Sequence, residues 1–201
     1  VEYLQQYHIR EVVVNVHHFA DQIIEAIQTN NGWGSNITVS DERDEVLETG
    51  GGLLKARPLL EGNEPFITLN ADILTNLNID SLRAFHQQHQ PLISFGTTSR
   101  KASRSLLFDE ANQLCGWRNN NTGDEKISIN KPDLVAKAYS CVVIFEPRVF
   151  SLIQQRGKFS LIDSYLDLAK TQTILGYDHS GDILVDVGKP ESVAIAEQYF
   201  Q

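Results

Sequence analysis

In the first half of the chain, apolar runs typical of strands alternate with apolar residues at helical spacing. The β-branched run Glu11–Val16 predicts a strand, and apolar residues at helical spacing in residues 19–28 predict an amphipathic helix directly after it. The alternation then continues, predicting strands at 36–40, 65–70 and 91–98 and helices at 53–60 and Ile79–His89. Strands separated by helices are typical of an α/β domain with a largely parallel sheet.

The second half of the chain has a different pattern. Short apolar pieces between residues 104 and 137 predict a hairpin that turns at residues 110–113. They are followed by predicted strands at 138–147 and 183–188 and by predicted helices at 160–170 and 190–200. Because no repeat or linker interrupts the sequence, we predict one domain across residues 1–201.

Composition and charge narrow the possible functions. The net charge of −9 disfavours a nucleic-acid binder, because such proteins neutralise phosphates with clustered Lys and Arg. No apolar run approaches the roughly 18 residues of a membrane-spanning helix. Cys115 and Cys141 show neither metal-ligand spacing nor a disulfide framework, so we expect a cytoplasmic protein.

The stretch "LETGGGLLKA" at residues 47–56 places three glycines before an apolar, helix-forming run. Bare backbone at the start of a helix lets a flat ligand approach and exposes free amides. The stretch matches neither the G-x-G-x-x-G nor the P-loop pattern. Taken alone, it is more simply explained as a structural turn.

Two aspartates lie at the ends of predicted apolar strand runs, Asp72 after "ITLN" and Asp186 after "ILV". Ligands in open α/β sheets bind beyond the carboxyl ends of strands. One or two carboxylates suffice for Mg²⁺ when waters and substrate phosphates complete the octahedron. Either aspartate alone is more simply a turn cap, but together with the glycine stretch they favour a metal site.

Three motifs, "LETGGGLLKA", "ITLNAD" and "LVDVGKPESVAIAE", together resemble those of the sugar-1-phosphate nucleotidyltransferases. The similarity extends over essentially all 201 residues. It is greatest to the branches that act on N-acetylmuramate 1-phosphate and mannose 1-phosphate. The resemblance implies a Rossmann-like, mostly parallel sheet flanked by helices, the nucleotide-diphospho-sugar transferase fold. It also implies transfer of a nucleoside monophosphate from UTP or GTP to a sugar 1-phosphate, with release of pyrophosphate.

The resemblance further assigns roles to individual residues. Mg²⁺ would be held by Asp72 and Asp186. The expected contacts to the nucleotide are Glu48, Thr49, Gly50, Gly51, Gly52, Asn70 and Ala71. The sugar side would be formed by Ser140 and Cys141, with Arg118 as the catalytic cation and Lys131 as a second choice. Arg118 is equally compatible with a solvated loop arginine.

The chain departs from the family pattern in two places. The family's first strand and its G-x-G-x-R loop would lie before Val1, so we expect an N-terminally truncated form that is inactive as it stands. The alternative is a non-catalytic nucleotidyltransferase-like module that binds nucleotide or a partner subunit. Cys141 stands where the family often has glycine. The sequence leaves the base, the sugar and the oligomeric state open.

Overall fold

The computed structural model describes residues 1–188 and 190–200, which form two compact units. The first unit contains Val1–Asn63 and Phe150–Ser164. The second contains Glu64–Val149 and the described residues from Tyr165 onward. The expectation of a single nucleotidyltransferase domain over residues 1–201 stays a prediction.

The helices and strands largely follow the predicted hydrophobic pattern. In chain order, the helices are α1 (Glu2–Gln5), α2 (Ala20–Thr29), α3 (Glu48–Leu60), α4 (Ile79–His89), α5 (Val149–Leu152), α6 (Leu161–Ala169) and α7 (Pro190–Ala196), and a 3-10 turn spans Asn31–Gly34. The strands are β1 (Glu11–Val16), β2 (Asn36–Asp41), β3 (Phe66–Leu69), β4 (Ile73–Thr75), β5 (Ile93–Thr98), β6 (Arg104–Phe108), β7 (Leu114–Asn119), β8 (Glu125–Ile127), β9 (Val135–Phe145), β10 (Ile174–Asp178) and β11 (Leu184–Asp186).

The first unit is built on a parallel strand pair. β1 and β2 pair in register from Glu11 opposite Asn36 to Val16 opposite Asp41. Helix α2 connects these strands, as a parallel pair requires. Both strands end at the same edge, which places the residues that follow them side by side.

The second unit contains a seven-stranded sheet. Six strands follow the order β10-β5-β9-β6-β7-β8, and the seventh, β3, pairs with the last residues of β9. The last residues of β9 lie between two strands, because Phe145 pairs with both Phe66 and Ile93. Residues 142–145 are at most 2% exposed. The centre of the core therefore lies along β9, where Phe95 and Tyr165 pack their rings together.

The α/β class is confirmed, but the strand directions differ from the expectation. Among the described strands of this sheet, β5 and β10 form the only parallel pair. The hairpin of β6 and β7 reverses the chain through a short turn, and short connections permit only antiparallel neighbours. Long β9 then runs antiparallel to β3, β5 and β6.

No helix in the described part of the chain combines the length and the apolar character needed to cross a membrane.

Candidate functional site

Asp72 and Asp186 are brought together by a short antiparallel ribbon in the second unit. Ile73 of β4 lies opposite Asp186 of β11, so Asp72 is one residue from the partner of Asp186. The Val187 amide donates a hydrogen bond of 2.8 Å to the Asp72 carbonyl, which continues the pairing of the two chain segments beyond Asp186 and Ile73. The two predicted metal ligands therefore leave the same end of the ribbon.

Gly188 shows how close the two carboxylates are. A Cβ at Gly188 would lie 3.1 Å from Asp186 Oδ1 and 3.4 Å from Asp72 Oδ2. The Gly188 amide donates to Asp186 Oδ1 at 2.9 Å. Any side chain at position 188 would enter the space between the carboxylates, and only glycine leaves that space open.

The carboxylate pair lines an open cleft of about 430 Å³ together with Gly188 and Ser192. Both aspartates are exposed, and no cation of the described residues forms an ion pair with either of them. The described residues also supply no third His, Cys, Asp or Glu to complete an all-protein metal cluster. Two carboxylates with open space suit Mg²⁺, which keeps waters and binds substrate phosphates.

The turn that carries Asp72 is attached to β9. Asn70 donates its amide to the Cys141 carbonyl at 3.3 Å, and Ile73 donates to the Asn70 carbonyl at 3.1 Å. Asn70 and Ala71 thus form one turn with Asp72. Cys141 has a φ of 59°, a left-handed conformation that favours glycine. The backbone of β9 therefore determines where the carboxylate turn lies.

The Cys141 thiol lies among charged groups of the site. Burial and the Asp72 and Asp186 carboxylates raise the pKa of this thiol to about 11, whereas the Arg100 guanidinium lowers it. A thiol with this pKa stays protonated at neutral pH. Cys141 therefore lines the site as a neutral, partly exposed thiol and does not act as a nucleophile.

Ser140 points in the opposite direction and is fully buried. Its hydroxyl lies 2.7 Å from Nε2 of His179, and Nδ1 of His179 lies 3.3 Å from an Asp182 carboxylate oxygen. Cys141 can therefore make the expected contact with the sugar, whereas the buried Ser140 side chain cannot. His179 was missed by the sequence analysis, because a single histidine beyond an unrecognised strand carries no signal.

We expect stability to fall at acid pH because of His179. Burial lowers its pKa, against the opposing effect of the Asp182 and Asp178 carboxylates. Unfolded histidine binds a proton near pH 6.5 whereas the folded one does not, so the free energy of unfolding falls as pH drops from 7 to 5. One proton corresponds to a slope of at most about 1.4 kcal/mol per pH unit.

Urea unfolding at several pH values measures this slope. His179→Gln should show a shallower slope between pH 7 and 5 than the wild type, and His89→Gln, at an exposed position, should keep the wild-type slope. An unchanged slope in His179→Gln would contradict the assignment.

The two cations predicted to bind the sugar phosphate, Arg118 and Lys131, both form ion pairs with other residues of the second unit. Arg118 on β7 donates to Glu125 on β8 at 2.6 Å. Lys131 donates to the buried Asp109 at 2.9 Å. Both cations are thus paired with carboxylates of the hairpin region, and the described residues show no contact of either cation with Asp72 or Asp186.

The glycine stretch belongs to a helix rather than to a loop. The expected helix at residues 53–60 in fact begins at Glu48, so Gly50, Gly51 and Gly52 lie in its first turns. A Cβ at Gly50 would overlap the Phe159 ring, and one at Gly51 would overlap the Gly157 carbonyl. These two glycines are required because another chain segment packs directly against the helix.

Further hydrogen bonds hold that segment against the same helix of the first unit. Gly50 donates its amide to the Phe159 carbonyl at 2.9 Å, and the Thr49 hydroxyl accepts from the Leu161 amide at 3.0 Å. The exposed Glu48 carboxylate lies 3.9 Å from the Lys158 ammonium. The backbone amide of Gly50 and the hydroxyl of Thr49 are therefore engaged within the protein.

Gly52 faces polar groups instead. A Cβ there would lie 2.7 Å from Glu42 Oε1 and 2.9 Å from Asn15 Nδ2. Glu42 follows β2 and is only 2% exposed, and its Oε2 accepts from the Leu47 amide at 3.3 Å. Its Oε1 has no hydrogen-bond partner among the described residues, which is costly for a buried acceptor.

Glu42 is a candidate that the sequence analysis overlooked, although it follows a strand just as Asp72 does. The neighbouring His17 ring nitrogen Nδ1 lies 2.6 Å from the Glu42 carbonyl oxygen. His17 therefore has a structural contact at the strand-to-helix turn.

Comparison with curated proteins identifies relatives along most of the chain. N-acetylmuramate alpha-1-phosphate uridylyltransferase of Caulobacter vibrioides is 26% identical over 199 residues, covering 94% of this chain and 77% of that protein. Mannose-1-phosphate guanyltransferase beta-B of Xenopus laevis is 25% identical over 197 residues, covering 95% of this chain. A shorter match, 39% identical over 75 residues and 37% of this chain, links it to the N-acetylmuramate alpha-1-phosphate uridylyltransferase of Neisseria meningitidis serogroup B.

These matches confirm the resemblance predicted from the three motifs. The chain spans 52% of the length of the Xenopus relative and 32% of the Neisseria relative. No family model matches the chain.

Solved structures share the fold. HddC from Yersinia pseudotuberculosis superposes with a TM-score of 0.77 at 20% identity, covering all of this chain and 83% of that chain. UDP-glucose pyrophosphorylase complexed with UDP-glucose superposes with a TM-score of 0.70 at 14% identity, covering 98% of this chain and 84% of that one. The predicted nucleotide-diphospho-sugar transferase fold is therefore confirmed.

Proposed function

We propose that this chain provides the catalytic domain of a sugar-1-phosphate nucleotidyltransferase. The substrates are a nucleoside triphosphate, UTP or GTP, and a sugar 1-phosphate. The products are a nucleotide sugar and pyrophosphate. The observation that carries the proposal is the Asp72 and Asp186 carboxylate pair around Gly188, in a chain whose relatives are named as enzymes of this kind.

Asp72 and Asp186 are the residues that would hold Mg²⁺. When bound, this ion would supply charge neutralisation for the phosphates of both substrates. The open space at Gly188 and the cleft beside both carboxylates support this role, because Mg²⁺ needs room for waters and substrate phosphates.

The reaction needs little covalent participation from the protein. An oxygen of the sugar 1-phosphate attacks the α-phosphorus of the triphosphate and forms a new P–O bond, while the bond from the α-phosphorus to the bridging oxygen breaks and pyrophosphate leaves. Positioning and charge stabilisation carry reactions of this type. The turn of Asn70, Ala71 and Asp72, anchored to the Cys141 carbonyl, contributes a fixed position for one carboxylate.

We also propose that the nucleobase contacts the first unit near Gly52. The orphaned Oε1 of buried Glu42 would gain a partner from an N–H of the base, which supports this location. Gly52 is the glycine of the stretch whose Cβ would meet polar side chains, those of Glu42 and Asn15, instead of Phe159 or Gly157. Guanine and uracil both carry such an N–H, so UTP and GTP both stay candidates.

The proposed location in the cell is the cytoplasm, and no nucleic acid is a proposed partner. Two free cysteines and the net charge of −9 support these assignments.

Pyrophosphate release tests the proposed function. We would assay the full-length protein with UTP and GTP, each against N-acetylmuramate 1-phosphate and mannose 1-phosphate, with and without Mg²⁺. At least one pair should release pyrophosphate only when Mg²⁺ and both substrates are present. Release without a sugar 1-phosphate would indicate hydrolysis instead, and no release with any pair would favour a non-catalytic binding module.

A further inference from the structure

An acceptor phosphate beside two carboxylates would be stabilised by a protein cation in addition to Mg²⁺, and this inference rests on the proposed function. Arg118 and Lys131 are bound to Glu125 and Asp109 in the second unit. The cation must therefore come from another position.

Arg100 is the arginine that the structure places next to the site. It follows β5 directly after Ser99, and one of its guanidinium nitrogens donates to the Tyr139 carbonyl at 3.1 Å. Ser99 donates its amide to the Ser180 hydroxyl at 2.8 Å, which fixes the backbone just before Arg100. The exposed arginine is thus held against β9 two residues before Cys141.

The same stretch of β9 anchors the carboxylate turn. The Cys141 carbonyl accepts the Asn70 amide at 3.3 Å, two residues after Tyr139, whose carbonyl accepts from Arg100. The Arg100 guanidinium and the turn that carries Asp72 are therefore hydrogen-bonded to carbonyls only two residues apart on β9. This arrangement places a positive and a negative region side by side.

Most N–H groups of the Arg100 guanidinium make no hydrogen bond to the described residues. Within the described part of the chain, no carboxylate lies within ion-pair distance of it, and Tyr139 accepts one of its five N–H groups. A guanidinium fork matches two oxygens of a phosphate, and such charge-assisted pairs are the strongest hydrogen bonds that proteins form with phosphates.

We propose that Arg100 binds the phosphate group of the sugar 1-phosphate beside Cys141, and so holds the attacking oxygen near the Asp72 and Asp186 carboxylates. Its contact with the Tyr139 carbonyl positions the guanidinium before the substrate arrives. Arg100 is then the cation of the acceptor subsite, in place of Arg118 and Lys131.

Calorimetric binding of mannose 1-phosphate and N-acetylmuramate 1-phosphate tests this assignment, with unphosphorylated mannose as a reference ligand. In Arg100→Gln, affinity for the better sugar 1-phosphate should fall about 10- to 100-fold, and the KM of that substrate should rise by the same factor. The KM of the nucleoside triphosphate should change less than about 2-fold. Arg100→Lys should recover part of the loss, because it restores the charge without the fork.

Arg104→Gln is the matched control, since it removes an equal charge from an exposed arginine only four residues away. It should leave both KM values unchanged. Equal affinity in Arg100→Gln and the wild type, or a selective loss in Arg118→Gln or Lys131→Gln instead, would overturn the assignment to Arg100 alone. If the wild type neither binds nor consumes either sugar 1-phosphate, the proposed function fails as well, and the two failures are thereby distinguished.

Discussion

In the full-length protein, Asp72→Asn and Asp186→Asn are each expected to lower kcat/KM for nucleotidyl transfer by about 100- to 1,000-fold, the scale of losing one preorganised charge contact in a transition state. Asparagine preserves the shape of each side chain but removes the charge that would hold Mg²⁺. Both positions are exposed, and the Asp186 oxygen that accepts from Gly188 is retained in asparagine. The free energy of unfolding should therefore stay within about 0.5 kcal/mol of the wild type or rise slightly, as repulsion between the carboxylates is relieved.

Asp133→Asn is the control for this pair. Asp133 is exposed and has a φ of 53°, a conformation that asparagine tolerates well. Its kcat/KM should equal that of the wild type. A comparable loss in all three variants would mean that net charge, rather than the carboxylate pair, controls activity.

Gly51→Val is expected to destabilise the first unit by about 3 kcal/mol or more, the upper range for overpacking a well-filled site. The added side chain would overlap the backbone carbonyl of Gly157, which cannot rotate away as a flexible side chain would. The structure thus gives Gly51 a packing role, while the contact of residues 50–52 with the nucleotide stays a prediction. Loss of nucleotide binding in this variant should accompany loss of folding.

Gly62→Val provides the comparison, because a Cβ at Gly62 meets nothing within 4 Å. Urea unfolding should show a change of less than about 1 kcal/mol for this variant. If Gly51→Val were as stable as Gly62→Val and still lost nucleotide binding, Gly51 would contact the ligand and the packing explanation would be wrong.

Periodicity was sufficient to predict the elements that bury one regular face. The predicted bounds of β1 and α4 agree with the structure, because β-branched residues and helical spacing dominate those segments. β10 was missed. Gly176 interrupts its short apolar run, and that glycine is needed because the Phe108 ring packs where a side chain would lie.

The candidate site was predictable where it depends on strand ends and unpredictable where it depends on distant partners. Asp72 lies beyond the end of β3 and Asp186 is the last residue of β11, and the pairing of β4 with β11 brings the two together. The start of α3 was misplaced because its glycines fit Phe159 and Gly157, which lie about a hundred residues further along the chain. Arg118 and Lys131 are paired with carboxylates, whereas Arg100 contacts the Tyr139 carbonyl. These contacts form only in the folded chain, so the sequence does not distinguish the three cations.

The central claim is that a sugar 1-phosphate oxygen attacks the α-phosphorus of a nucleoside triphosphate. Mass spectrometry of the products from a sugar 1-phosphate labelled with ¹⁸O in its phosphate tests this claim most directly. We predict one nucleotide sugar for each pyrophosphate, with all the label in the nucleotide sugar and none in the pyrophosphate. Label in the pyrophosphate, or pyrophosphate formed without a nucleotide sugar, would contradict the proposed reaction.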